Sequence, residues 1–181
     1  MLGRSLSYAK IRKVFNKTMK RNINNYILAA FAVALAAMFV RSIYIPVRFE
    51  QEKEARENDV KACLVQIRNA EEAYLKAHGT YCNSLETLVR NRLLPDSLTT
   101  IPHSEGLKFS LVTATITTET KREVPVMECG TTYDEYLYGM DSGGISALIE
   151  KAEERGNFPG LKIGDLETDN KNAGNWEEPN N

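Results

Sequence analysis

From Tyr26 to Val40 the chain reads YILAAFAVALAAMFV, fifteen residues with no charge and a single polar group, the Tyr26 hydroxyl. Such a run has to leave water, and where it goes sets the reading of the rest of the chain. Alone it is too short to cross a bilayer, which takes about 20 residues. Extended from Ile23 to Ile45 it reaches that length. Arg41 then falls near the far interface, where its long stem carries the guanidinium back to headgroups or water. Tyr26 and Tyr44 stand at the two ends, where amphipathic rings collect, and Pro46 lies just outside. A helix lying on the membrane surface needs a polar face, and this run has none. A buried core helix needs a partner domain that the basic head does not offer. A cleaved leader is the competing reading. It wants small residues after the apolar centre, and here Met38, Phe39, Val40 and Arg41 follow instead.

Charge supports an anchor. No Asp or Glu precedes Glu50, whereas Arg4, Lys10, Arg12, Lys13, Lys17, Lys20 and Arg21 crowd the start, and acids outnumber bases after Glu50. A basic head before an apolar span is the order of a protein whose head stays in the cytoplasm. The head also has the charge to bind acidic lipid or nucleic acid, but no nucleic-acid motif, so its expected role is topology alone. The expected organisation is a basic cytoplasmic head (1–22), a transmembrane helix (23–45), a charged helical stalk (46–59), a periplasmic domain (60–166) and a polar tail (167–181).

The stalk holds two favourable helical pairs, Glu52 with Arg56 and Glu57 with Lys61. From Val60 the pattern becomes one apolar stripe, Val60, Cys63, Ile67, Ala70, Tyr74 and Ala77, widened by Leu64. It spans fewer than three heptads and contains Ala, so packing on a sheet is expected over a coiled coil. Gly79 caps the helix, and Ser84 is placed to N-cap a short helix that Pro95 closes. Leu107, Phe109 and Leu111 alternate in a first strand. A second begins near Arg122, after a turn at 119–121. Pro125 inside the second strand predicts an edge or a bulge. Thr132 and Glu135 have capping-box spacing. A further helix carries Ile145, Leu148, Ile149 and Ala152 and ends at Gly156, and Gly160 opens a last strand. The expected fold class is α+β: a long amphipathic helix packed on a small antiparallel sheet.

The stretch IRNAEEAYLKAHGTYCNSLETLVRNRLLP is similar to the start of the globular domain in type IV pilins and type II secretion pseudopilins, through Tyr74, Gly79, Tyr81, Leu85, Leu88 and Pro95. The resemblance covers about 35 residues and implies a pilin-like domain. Pro159 to Glu177 is similar to the end of Bacteroidetes membrane proteins, which implies no activity. The chain departs from the pilin pattern at its start. Gly3 is followed by Arg4, and Tyr8, not Glu, stands fifth after it. Prepilin peptidase processing is therefore not expected. The resemblance implies a pilin-shaped domain on a fixed anchor rather than a fibre subunit.

For chemistry the chain offers little. It lacks a phosphate-cradling glycine loop, HExxH and GxSxG. His78 is expected at a helix end, where the dipole favours it, and His103 in a loop. No cofactor and no metal are expected. Some pseudopilins bind calcium in a C-terminal loop. Here Asp165, Glu167 and Asp169 do not continue into the EF-hand pattern, since Lys171 and Ala173 fall at ligand positions. Among the cysteines, Cys82 and Cys129 are the preferred disulfide pair outside the cytoplasm, with Cys63 free in the apolar stripe; three free thiols are the alternative. Trp176 either folds back on the sheet or docks a partner, folding back being favoured. Val60, Leu64, Ile67, Tyr74 and Trp176 are the expected partner-binding positions. The function expected is that of a non-enzymatic scaffold or assembly component of a secretion or pilus-related complex. It would sit in the bacterial inner membrane by a single pass, with other membrane subunits as partners and no nucleic acid. The alternative is a periplasmic sensor or adaptor that holds a ligand or peptide.

Overall fold

The computed structural model describes the backbone of residues 3–118 and 121–177, and the side chains of those from residue 25 onward except 41–45. Two compact units divide the chain, residues 1–48 and 49–181. The helix α1 (Gly3–His78) runs through both. It continues through Pro46, although proline lacks the N–H for an intrahelical bond. In the first unit the described side chains from Asn25 to Val40 are all exposed. The expected span of 23–45 lies partly outside the described side chains. Among the described residues no helix is long and apolar enough to cross a membrane.

The second unit is α+β. After α1 come α2 (Leu85–Arg90), a 3-10 turn (Asp96–Thr99), β1 (Ser110–Thr117), β2 (Glu123–Thr132), α3 (Tyr133–Tyr136), α4 (Ser142–Glu154) and β3 (Gly160–Gly164). The strands form an antiparallel sheet in the order β1-β2-β3. Local chemistry sets most boundaries as expected. Gly79 takes a φ of 74° at the end of α1. The Ser84 hydroxyl accepts from the Thr87 N–H. Thr132 and Glu135 form a reciprocal capping box at α3. Asp141 caps α4 by accepting from the Gly144 N–H. In the expected turn, Glu119 and Thr120 lie outside the described residues.

One expectation about the sheet is corrected. Pro125 sits in the central strand, and β1 pairs with β2 in unbroken register from Ser110–Gly130 to Thr117–Glu123, with no bulge. The proline is tolerated because β3 pairs only with Glu128–Thr132. Alongside Pro125 the strand has no β3 neighbour and so behaves as an edge on that side.

The core lies between α1 and the sheet. Val60, Leu64 and Ile67 have no exposed surface, and they meet Met127 and Cys129 of β2, Ile163 of β3, Leu88 of α2, and Tyr136 and Leu137. Burying a Leu or Ile side chain stabilises by about 1.5–3 kcal/mol. An exposed i,i+4 ion pair contributes about 0.3–0.5 kcal/mol. The pairs Glu52–Arg56 at 2.7 Å and Glu57–Lys61 at 3.5 Å both form, but packing holds the helix. Two expected boundaries move. The domain begins at Phe49, within the expected stalk: the Phe49 ring lies where a Cβ on Gly144 would go. Arg56 donates to the carbonyls of Tyr136 and Tyr138. At the other end, the polar tail expected outside the domain is folded onto β3, as favoured for Trp176. Gly164 N–H donates to Ala173 O, Asn175 N–H to Lys162 O, and Arg68 pairs with Glu177 at 2.8 Å.

Candidate functional site

Lys53, Glu57 and Lys61 recur at four-residue steps on α1 and therefore share one face. Opposite them the last turns of α4 present Leu148, Lys151, Ala152 and Arg155. The loop to β3 adds Phe158, β3 adds Lys162, and the returning tail adds Asn175 and Trp176. Together they line a groove of about 630 Å³. That is within the range of ligand sites, roughly 300–1,000 Å³.

The groove is basic in an acidic domain. Residues 49–181 hold 14 of the 23 basic residues and all 24 acids, a net charge of −10. Five of those 14 cations line the groove, against two acids, Glu57 and Asp165. Three of the five are held by carboxylates: Lys53 by Glu50 at 2.7 Å, Lys61 by Glu57 at 3.5 Å, and Lys162 by Glu128 at 2.6 Å and Asp165 at 3.6 Å. Burial alone lowers the lysine pKa at Lys53 and Lys162; the adjoining carboxylates outweigh it, and both are held above the ordinary value. Lys151 and Arg155 are exposed, one helical turn apart, and make no ion pair among the described residues. They are the cations open to a ligand. Aromatic surface adjoins them. Trp176 is half-buried against the core, and the Lys162 ammonium stands 5.7 Å from the Phe158 ring centroid, within cation–π range. Tyr133 closes the α1 side, and burial, reinforced by Glu57, raises its phenol pKa.

A second unusual group lies behind the turn after α1. Glu71 has no exposed surface. Its Oε2 accepts from the Cys82 N–H at 2.8 Å, and its Oε1 has no partner among the described residues. Burial raises its pKa to about 7 despite the Cys82 hydrogen bond. The carboxyl fastens the Gly79–Ser84 turn to the helix. The Cys129 thiol and the Tyr81 phenol stand near enough to feel its charge, and burial raises the pKa of both.

The sequence-derived sites fare unevenly. Val60, Leu64 and Ile67 are not available to a partner, because the domain's own sheet covers them. Tyr74 is half-buried on the same core and stacks at 4.2 Å on His78. Trp176 folds back and keeps one side in the groove. The preferred Cys82–Cys129 bridge is not made: Cys63, Cys82 and Cys129 are free and buried. The Cys82 Sγ lies 3.3 Å from Ser84 O, directed along its own turn. Asp165 and Asp169 accept backbone N–H groups of the residues just after them, as turn residues do. Among the described residues no cluster of His, Cys, Asp and Glu is placed to hold a metal ion. His103 meets Asp59 at 2.8 Å.

Sequence reasoning missed both Glu71 and the groove. Glu71 follows Leu64 by seven positions and Ile67 by four and precedes Tyr74 by three, so an acid stands inside the apolar arc; that was a usable signal. For the groove, only the Lys53–Glu57–Lys61 and Leu148–Lys151–Arg155 periodicities were visible. No protein family matches the chain, and no curated protein or solved structure does either.

Proposed function

We propose that this chain is a membrane-tethered, non-enzymatic interaction module: a single-pass inner-membrane protein that presents its α+β domain to the periplasm as an assembly or scaffold component of a secretion or pilus-related complex. The observation that carries the tether is the exposure of the apolar run. Nine large apolar side chains between Tyr26 and Val40 are each more than half exposed. They include the consecutive sets Tyr26–Leu28 and Met38–Val40. At about 100° per residue, three in a row point to most of the helix circumference. A partner helix covers one face, whereas lipid covers all of them. The acid-free basic head supports the cytoplasmic start. The pilin-like reading draws support from element order: a long helix, the Gly79–Tyr81 turn, the Leu85–Leu88 segment and an antiparallel sheet packed on the helix.

Membrane fractionation with an alkaline carbonate wash, combined with an alkaline phosphatase fusion at the C-terminus, tests the tether. The chain stays in the pellet and the fusion is active. Release of the intact chain by carbonate overturns the anchor, and an inactive fusion reverses the orientation. Mild-detergent pull-down from native membranes then identifies the co-purifying subunits. A monomer with no membrane partner ends the scaffold reading. The groove favours the related reading of an adaptor that holds a peptide.

A further inference from the structure

The geometry points to the groove as the docking site for a short acidic peptide segment of a partner, with Lys151 and Arg155 as the primary contacts to its carboxylates and Trp176 as the floor for an apolar side chain. This deepens the interaction-module reading. It rests on that reading only for its setting, because the groove lies wholly within residues 53–176.

Two features select the occupant. The first is where the unpaired charge lies. Lys53, Lys61 and Lys162 are held by carboxylates, so the cations that a ligand can engage are Lys151 and Arg155. They are one helical turn apart, about 6 Å along the axis. Alternate residues of an extended peptide are about 7 Å apart and on one face, so two carboxylates at that spacing meet both cations. A single small anion leaves the apolar lining of the groove unused. The second feature is the domain's net charge of −10, a total that already counts the groove's own cations. A long polyanion such as DNA is repelled by the surrounding surface. A segment a few residues long senses chiefly charges within a screening length of about 8–10 Å. The ring of Trp176, with Phe158 and Leu148, supplies apolar surface among the cations. The ligand should therefore alternate acidic residues with at least one large apolar residue.

Trp176 is the sole tryptophan of the chain, so its emission reports the groove and not the basic head. The full chain, in nonionic detergent, is titrated with acetyl-Glu-Asp-Phe-Asp-Glu-amide and with its neutral counterpart acetyl-Gln-Asn-Phe-Asn-Gln-amide. The acidic peptide shifts Trp176 emission saturably; the neutral one binds at least about tenfold more weakly. Raising NaCl from about 50 to about 300 mM weakens the acidic peptide's binding, as screening requires. The double variant Lys151→Glu/Arg155→Glu loses about tenfold or more in affinity, and Lys151→Gln/Arg155→Gln falls between. Both sites are exposed, and far-ultraviolet circular dichroism verifies that the folds are unchanged. Arg90→Glu, outside the groove, changes affinity less than about twofold. Absence of a saturable shift overturns the proposal, as does equal binding of both peptides or of the double variant. Tighter binding of pyrophosphate or of a single-stranded oligonucleotide than of the acidic peptide overturns the choice of occupant. Failure of the anchor in fractionation leaves these outcomes readable, since the titration does not depend on a membrane.

Discussion

Replacing Glu71 by Gln removes an ionisable carboxyl from the core while keeping its shape. In the folded chain its pKa is about 7, above its ordinary 4.5. Folding therefore takes up a proton between those values. The stability linked to this proton is fully present below 4.5 and is lost as pH rises through 7. One unit of pKa difference corresponds to about 1.4 kcal/mol. Between about pH 5.5 and about pH 8 the linkage relation gives a loss of about 2 kcal/mol from this group. Tyr81, Cys82 and Cys129 stand around it, and burial moves the Tyr81 and Cys129 groups upward, away from this window. The glutamine keeps the Cys82 hydrogen bond through its carbonyl and turns its amide nitrogen to the place of the unpartnered oxygen. A buried donor left alone costs about 1–3 kcal/mol, but at every pH alike. The prediction therefore concerns the slope. Urea unfolding of the full chain and of Glu71→Gln, in one detergent and followed by Trp176 emission, is compared at the two pH values. The unmodified chain loses about 2 kcal/mol more than the variant on going to the higher pH. Contributions from groups titrating alike in both proteins cancel in that difference. Equal slopes would refute the assignment of a buried, proton-linked carboxyl.

Two further outcomes test the fold. None of the three thiols reacts with an aromatic disulfide reagent in the folded chain, and all three react after denaturation without reductant; a single reactive thiol would establish a bridge that the structure lacks, and peptide mapping would show whether it joins Cys82 to Cys129. Gly164→Ala drives a Cβ into the Met127 carbonyl oxygen at a φ of 74°, so it lowers the urea midpoint by the equivalent of about 2–4 kcal/mol with m unchanged; a loss below about 1 kcal/mol would show that the β2–β3 approach relaxes freely.

Local chemistry made much of the fold legible. The Ser84 cap, the Thr132–Glu135 box, the Gly79 end and the Gly160 strand each depend on a few neighbouring residues, and each lies where its sequence signal stands. The Val60–Tyr74 stripe announced the buried face of α1. Pro125 was misread because its local meaning is right and its strand position is not: how far β3 extends along β2 is a long-range fact. The cysteines were paired by element, one in a loop and one at a strand end, but element identity does not bring two sulfur atoms to bonding geometry.

By itself, the order of residues determined the α+β class, the uneven charge and the apolar run at Tyr26–Val40, because composition and period act over one or two turns of chain. The tertiary structure alone decided which surface is open. It consumed Val60, Leu64 and Ile67 in the core and buried Glu71 against the Cys82 turn. It carried the tail back past β3 so that Trp176 faces Lys151 and Arg155 across a groove. Those residues are up to 123 positions from Lys53 in the chain, and only the packing of α1 and α4 with the sheet and the returning tail brings such distant positions to one site.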